Sequence, residues 1–101
     1  MRGKPTYDLQ RLQQLIGQGE LSRAITKAAT QGALLLDLDR DAIIEAVLSL
    51  RPEHFYKTME SELLPGMWQD VYHLEFRGER LYIKLQLADD GRAFVVQFKQ
   101  R

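Results

Sequence analysis

The apolar residues of this 101-residue chain change their spacing near residue 52, and no other feature limits the fold as strongly. Before that point they recur every three to four residues, the period of a helix. Leu9, Leu12, Leu15 and Ile16 predict a first helix over 6–18, with Thr6 as its N-cap and Gly17 and Gly19 at its end. Ser22 predicts the cap of a second helix over 23–31, with Ile25, Ala28 and Ala29 as its stripe and Gly32 as its stop. After the apolar link Leu34-Leu35-Leu36, Asp39 predicts the cap of a third helix over 40–50. Its buried face would be Ile43, Ile44, Val47 and Leu48, with Pro52 just beyond. From Glu53 onward the period is two. The segments 54–59, 67–72, 81–87 and 93–99 read as strands, separated by Pro65-Gly66, Arg77-Gly78-Glu79 and Asp89-Asp90-Gly91. The expected fold class is therefore α+β. N-terminal helices (6–50) pack on a C-terminal antiparallel sheet (54–99), all within one domain spanning 1–101.

Composition narrows the chemistry. With no cysteine there are no disulfides, thiolate zinc sites or cysteine nucleophiles. His54 and His73 are the two imidazoles, too few for a histidine metal cage. No apolar run approaches the length of a membrane span, and MRGKPTYDLQRL holds no apolar core of a secretory signal, so a cytoplasmic domain is expected. Fourteen basic and fourteen acidic residues cancel, so any basic site must arise from how the fold arranges its charges.

Strand alternation supplies such an arrangement. In 81–87 Leu81, Ile83, Leu85 and Leu87 share one face, and Tyr82, Lys84 and Gln86 the other. In 93–99 Phe94, Val96 and Phe98 share the face expected to meet the helices, opposite Ala93, Val95, Gln97 and Lys99. The solvated face then collects Tyr82, Lys84, Gln86, Gln97 and Lys99, without one carboxylate from these two strands. Gln69 runs in phase with Met67 and Val71, and Lys57 with Phe55 and Met59, so alternation leaves their faces open. Ammonium groups, a phenol and amides on one sheet face suit a polyanion such as RNA, because lysines hold phosphates and tyrosine stacks on bases. Equally, any strand with one wet face carries such residues. Other patterns point away from chemistry. Asp37, Asp39 and Asp41 mimic the start of a calcium loop, but Ala42 and Leu48 replace its glycine and glutamate. Trp68 reads as core, and His54 and His73 lack the spacing of ligand partners.

FYKTM at 55–59, WQDVY at 68–72, LYIKLQL at 81–87 and VVQFK at 95–99 occur in that order, and together they resemble the MqsR (motility quorum-sensing regulator) family of bacterial toxins. The likeness continues more weakly into QLIGQGE and DLDRDAIIEAVLSL. It implies a RelE-like fold and an endoribonuclease that cleaves mRNA by metal-independent attack of a 2′-OH, as the toxin of a type II toxin–antitoxin pair. It further implies that Lys57, Gln69, Tyr82 and Lys99 are catalytic and that Tyr56, Lys84 and Gln97 contact RNA. No cofactor is implied. The implied partners are mRNA and a zinc-binding, helix-turn-helix antitoxin similar to MqsA, through which DNA would be met indirectly, and no membrane. The turns at 77–79 and 89–91 depart from the family pattern, which leaves loop-borne sequence preference open. Two other readings stand beside this one: a non-catalytic RNA- or protein-binding module of the same fold, and a partner-binding protein whose wet face is merely solvated.

Overall fold

A computed structural model describes residues 3–101. It shows three helices, α1 (Leu9–Gln18), α2 (Lys27–Leu34) and α3 (Arg40–Leu48), against one sheet. The sheet holds β1 (Arg23–Ile25), β2 (Phe55–Glu60), β3 (Trp68–Phe76), β4 (Glu79–Leu87) and β5 (Ala93–Gln100), in the order β1-β5-β4-β3-β2. A 3-10 turn, Pro52–His54, joins the helices to β2. Strands β2 to β5 form the expected antiparallel meander, and β1 adds to β5 in parallel, so the sheet is mixed. Leu12, Ile16, Ile43 and Val47 from the helices meet Leu81, Ile83, Leu85 and Phe98 from the sheet in one core. The α+β fold class is as expected from the sequence.

Several local expectations are corrected. The segment 23–25 is a strand, not the start of a helix, and the second helix begins at Lys27. Its cap is Thr26 rather than Ser22. The Thr26 hydroxyl accepts from the Ala29 amide at 3.0 Å and donates to the Val96 carbonyl at 2.7 Å, tying the start of α2 to β5. Ser22 instead donates to the Leu15 carbonyl near the end of α1. Ala28 is exposed, and Ala29 and Ala33 form the buried stripe. Gly32 does not stop α2 but lies inside it. A Cβ there would stand 2.0 Å from the Phe98 carbonyl oxygen, so glycine is what lets the helix lie against β5.

At the first helix the N-cap is Asp8, not Thr6. The buried Asp70 carboxylate takes the amides of Thr6 and Tyr7 at 3.0 and 2.9 Å, which holds those two residues out of the helix. The Thr6 hydroxyl meets that of buried Thr58 at 2.7 Å. Asp39 does cap α3, accepting from the Ala42 amide at 2.9 Å. The buried face of α3 is Ala42, Ile43, Ala46 and Val47, leaving Leu48 half exposed. Trp68 is half-buried and lies outside the core cluster, its carbonyl accepting from the Tyr7 hydroxyl at 2.7 Å.

Two β-bulges set which side chains face which way. On β5, Val95 opposes Leu85 while Gln97 opposes Lys84, so Val96 is an extra residue. Ala93, Val95 and Phe98 therefore point into the core, whereas Phe94 and Val96, expected there, do not. On β2 the register shifts between Phe55 and Lys57, around Tyr56. Phe55 packs edge-on against the buried Tyr72 ring, while Lys57 opposes Val71 on the other face. That shift separates Lys57 from Phe55, with which simple alternation had grouped it.

Candidate active site

With the helices on one face, the other face of β2–β5 is a grid of side chains set by strand pairing. In one row Lys57 opposes Val71, Val71 opposes Lys84, and Lys84 opposes Gln97. In the next, His73 opposes Tyr82 and Tyr82 opposes Lys99. On the far side of the lysine row, Gln69 donates through Nε2 to Gln86 Oε1 at 2.9 Å. Lys57, Gln69, Tyr82, Lys84, Gln97 and Lys99 line a single cleft of about 440 Å³. The loop 61–67 closes one side of it, adding Ser61, Glu62 and Leu63 to the lining. Ser61 shapes this loop by accepting from the amides of Leu63 and Leu64 at 3.3 and 3.2 Å.

The electrostatics follow from that crowding. Lys99 Nζ lies 5.0 Å and Lys84 Nζ 5.8 Å from the centre of the Tyr82 ring. Lys57 Nζ lies 5.5 Å from the Tyr56 ring. Burial pushes the pKa of Lys84 below the usual lysine value. The Glu62 carboxylate opposes that shift, and the charges of Lys99 and Lys57 add to it. Burial raises the Tyr82 phenol, with Tyr56 and Glu62 contributing, so Tyr82 stays protonated and is a hydrogen-bond donor near neutral pH.

Six of the seven residues implied by the resemblance thus meet in one cleft. Tyr56 does not line it. Its ring stacks on His73 at 4.1 Å between centroids, and His73 in turn lies 6.1 Å from the Tyr82 ring. Gln69, whose face alternation left open, points to the open side together with Val71, although it is largely covered. Two residues were missed. His73 shares the phase of Gln69 and Val71, a signal the alternation contained once Gln69 was placed. Glu62 sits in a loop, where no period exists to point to it.

The cleft holds three ammonium groups, a neutral phenol and two amides against one carboxylate, an arrangement complementary to a phosphodiester. Among the described residues, no helix is long and apolar enough to cross a membrane. Comparison with known proteins agrees with the resemblance seen in the strands. The family described as motility quorum-sensing regulator, toxin of MqsA, matches residues 4–100. The chain is also 28% identical over 97 residues to the mRNA interferase toxin MqsR of Escherichia coli (strain K12), an overlap of 96% of this chain and 95% of that protein. A family match over nearly the whole length leaves one assignment: this chain belongs to the MqsR toxin family, the toxin half of a toxin–antitoxin pair.

Proposed function

We propose that the chain is an endoribonuclease that cleaves mRNA at the cleft between Lys57 and Lys99, without a metal, and so arrests translation. The observation that carries this reading is the convergence of Lys57, Gln69, Tyr82, Lys84 and Lys99 in one cleft. These are donors for an anion. A metal would need several carboxylates or imidazoles, and the cleft lining offers Glu62 alone. The 2′-OH attacks the adjacent phosphorus, and the P–O5′ bond breaks to leave a 2′,3′-cyclic phosphate and a free 5′-OH. Lys57 and Lys99 hold the phosphorane oxygens, and Gln69, fixed by Gln86, orients the phosphate or a base edge. Tyr82, kept protonated, donates to the departing 5′ oxygen. Lys84, with its pKa drawn down, takes the 2′ proton. Tyr56 and Gln97 extend the RNA contact on either side.

The partner is a zinc-binding, helix-turn-helix antitoxin similar to MqsA, which brings the complex to DNA, in the cytoplasm. It pairs along the open edge of β2, which bonds only to β3 within the sheet, and so blocks RNA from outside the cleft.

The decisive experiment is product-end analysis with a pH profile. Cleavage should yield cyclic phosphate and 5′-OH ends and persist in EDTA. Lys84→Arg keeps the charge but removes a titrating base, so the alkaline rise in rate expected of the parent should disappear. Products with 5′-phosphate ends, or activity abolished by EDTA, would overturn the mechanism.

A further inference from the structure

One row beyond His73 and Tyr82, the grid continues with Glu75 opposite Arg80. The Arg101 amide then donates to the Arg80 carbonyl at 2.8 Å, so the two arginines sit side by side across β4 and the end of β5. With His54 and His73 they line a second concavity of about 310 Å³, next to the cleft. The arginines at 23, 40, 51, 77 and 92 are each ion-paired to a glutamate or aspartate. Arg80 and Arg101 make no such pair among the described residues. Arg101 is instead held by His73, whose Nδ1 lies 2.9 Å from a guanidinium nitrogen. An imidazole accepting there is neutral, so it orients the guanidinium without neutralising it and leaves its other N–H groups for a ligand. Glu75 brings the one carboxylate side chain among the described residues of the lining.

We propose that Arg80 and Arg101, with Arg101 oriented by His73, form a subsite for a second phosphate of the RNA, next to the scissile one. This rests on the RNA-cleavage reading above and extends it along the strand. The geometry is commensurate. Residues two apart on a strand are about 6.6 Å apart, close to the spacing of successive phosphates in an extended single strand. The Tyr56 ring, lying on His73 and half exposed, offers a stacking surface between the two phosphate positions. Two arginines at a fixed separation also suit phosphate better than lysines would, because each presents a planar fork of donors.

The test uses a fluorescein-labelled 2′-O-methyl RNA of about twelve nucleotides, which has no nucleophile, with affinity measured by anisotropy across a salt series. Arg80→Gln/Arg101→Gln should bind about tenfold more weakly at low salt. Its plot of log affinity against log salt should be shallower by about 0.7, the loss of one phosphate contact on a single strand. Arg11→Gln/Arg40→Gln removes the same charge from α1 and α3 and should match the parent. In cleavage assays the first variant should raise KM and leave kcat within about twofold, because the reacting groups lie in the neighbouring rows. Equal binding and slope in parent and variant, or an equal loss in the helix control, would overturn the subsite. So would a parent protein that does not bind the oligonucleotide. If inorganic phosphate stabilises the parent but not the variant while RNA binding is unchanged, the basin is a free-anion site and the RNA assignment fails. A parent that binds but does not cleave RNA would sink the catalytic reading, and the slope would still decide the subsite.

Discussion

The two faces of the same four strands obey different rules. Toward the helices, Leu81, Ile83, Leu85, Val95 and Phe98 are almost fully buried, and the one buried carboxylate among the described residues, Asp70, is satisfied by two backbone amides. Toward solvent, Lys57, Lys84 and Lys99 crowd around Tyr82 and Val71 with Glu62 as the nearby carboxylate. The inner face is arranged to lower its own free energy. On the outer face burial first, and then the like charges of Lys99 and Lys57, lower the Lys84 pKa against the pull of Glu62, a cost that an incoming anion would relieve. Burial and clustered charge are thus segregated by strand alternation, and on the proposed reading substitutions on the two faces should separate along the same line.

The inner face should give the largest change. Gly32→Ala forces a methyl against the Phe98 carbonyl, and α2 must move off β5. We expect a loss of about 3 kcal/mol in urea unfolding, the upper range for overpacking, with the remaining folded protein still active. A loss below about 0.5 kcal/mol would mean that α2 does not depend on this close approach. The outer face should behave in the opposite way. Lys57→Ala and Lys99→Ala should each lower cleavage about a hundredfold, the scale of one preorganised charge, while unfolding midpoints barely move. The double variant should bind antitoxin as the parent does, if β2 is the docking edge. A tenfold weaker complex, about 1.4 kcal/mol, would put the antitoxin on the cleft instead.

The same division explains how much could be read from the sequence. The meander, the Asp39 cap and the outward direction of Tyr82, Lys84, Gln97 and Lys99 follow from periodicity and local capping, which adjacent residues encode. The strand Arg23–Ile25 does not, because three residues carry no period and their partners lie some seventy positions later on β5. Bulges were equally hidden. The extra residue at Val96 has no chemical signature, yet it turns Ala93 and Val95 inward and Phe94 outward. Lys57 was ambiguous for the same reason, through the bulge at Tyr56. The family resemblance supplied Lys57 and Gln69, and the geometry explains how they reach Tyr82. It did not point to His73 or Glu62, which the fold brings in by strand phase and by a loop.

His73 gives the smallest expected effect and tests whether the boundary between the faces is sharp. It lies on the outer face, but burial first, then Arg101 and then Lys57 push its pKa below the ordinary histidine value. Facing it are Tyr56 and Lys57 from β2, Tyr82 and Arg80 from β4, Glu75 on its own strand, Arg101 beyond β5 and His54 from the 3-10 turn. The sign follows from proton counting. Below the unfolded pKa of about 6.5 the unfolded chain binds a proton that the folded chain resists, so stability falls with pH until the lowered folded pKa is passed. Well above the unfolded value of about 6.5 both states are neutral and His73 contributes no pH dependence. His73→Gln keeps an acceptor for Arg101 but cannot titrate. Its urea midpoint should therefore fall less than the parent's between pH 7.5 and 5.5, and the two curves should run parallel above pH 7.5. A parent that gains stability relative to the variant on acidification would mean that His73 prefers its charged form. The cations around it would then be too well screened to make the outer face the electropositive surface described here.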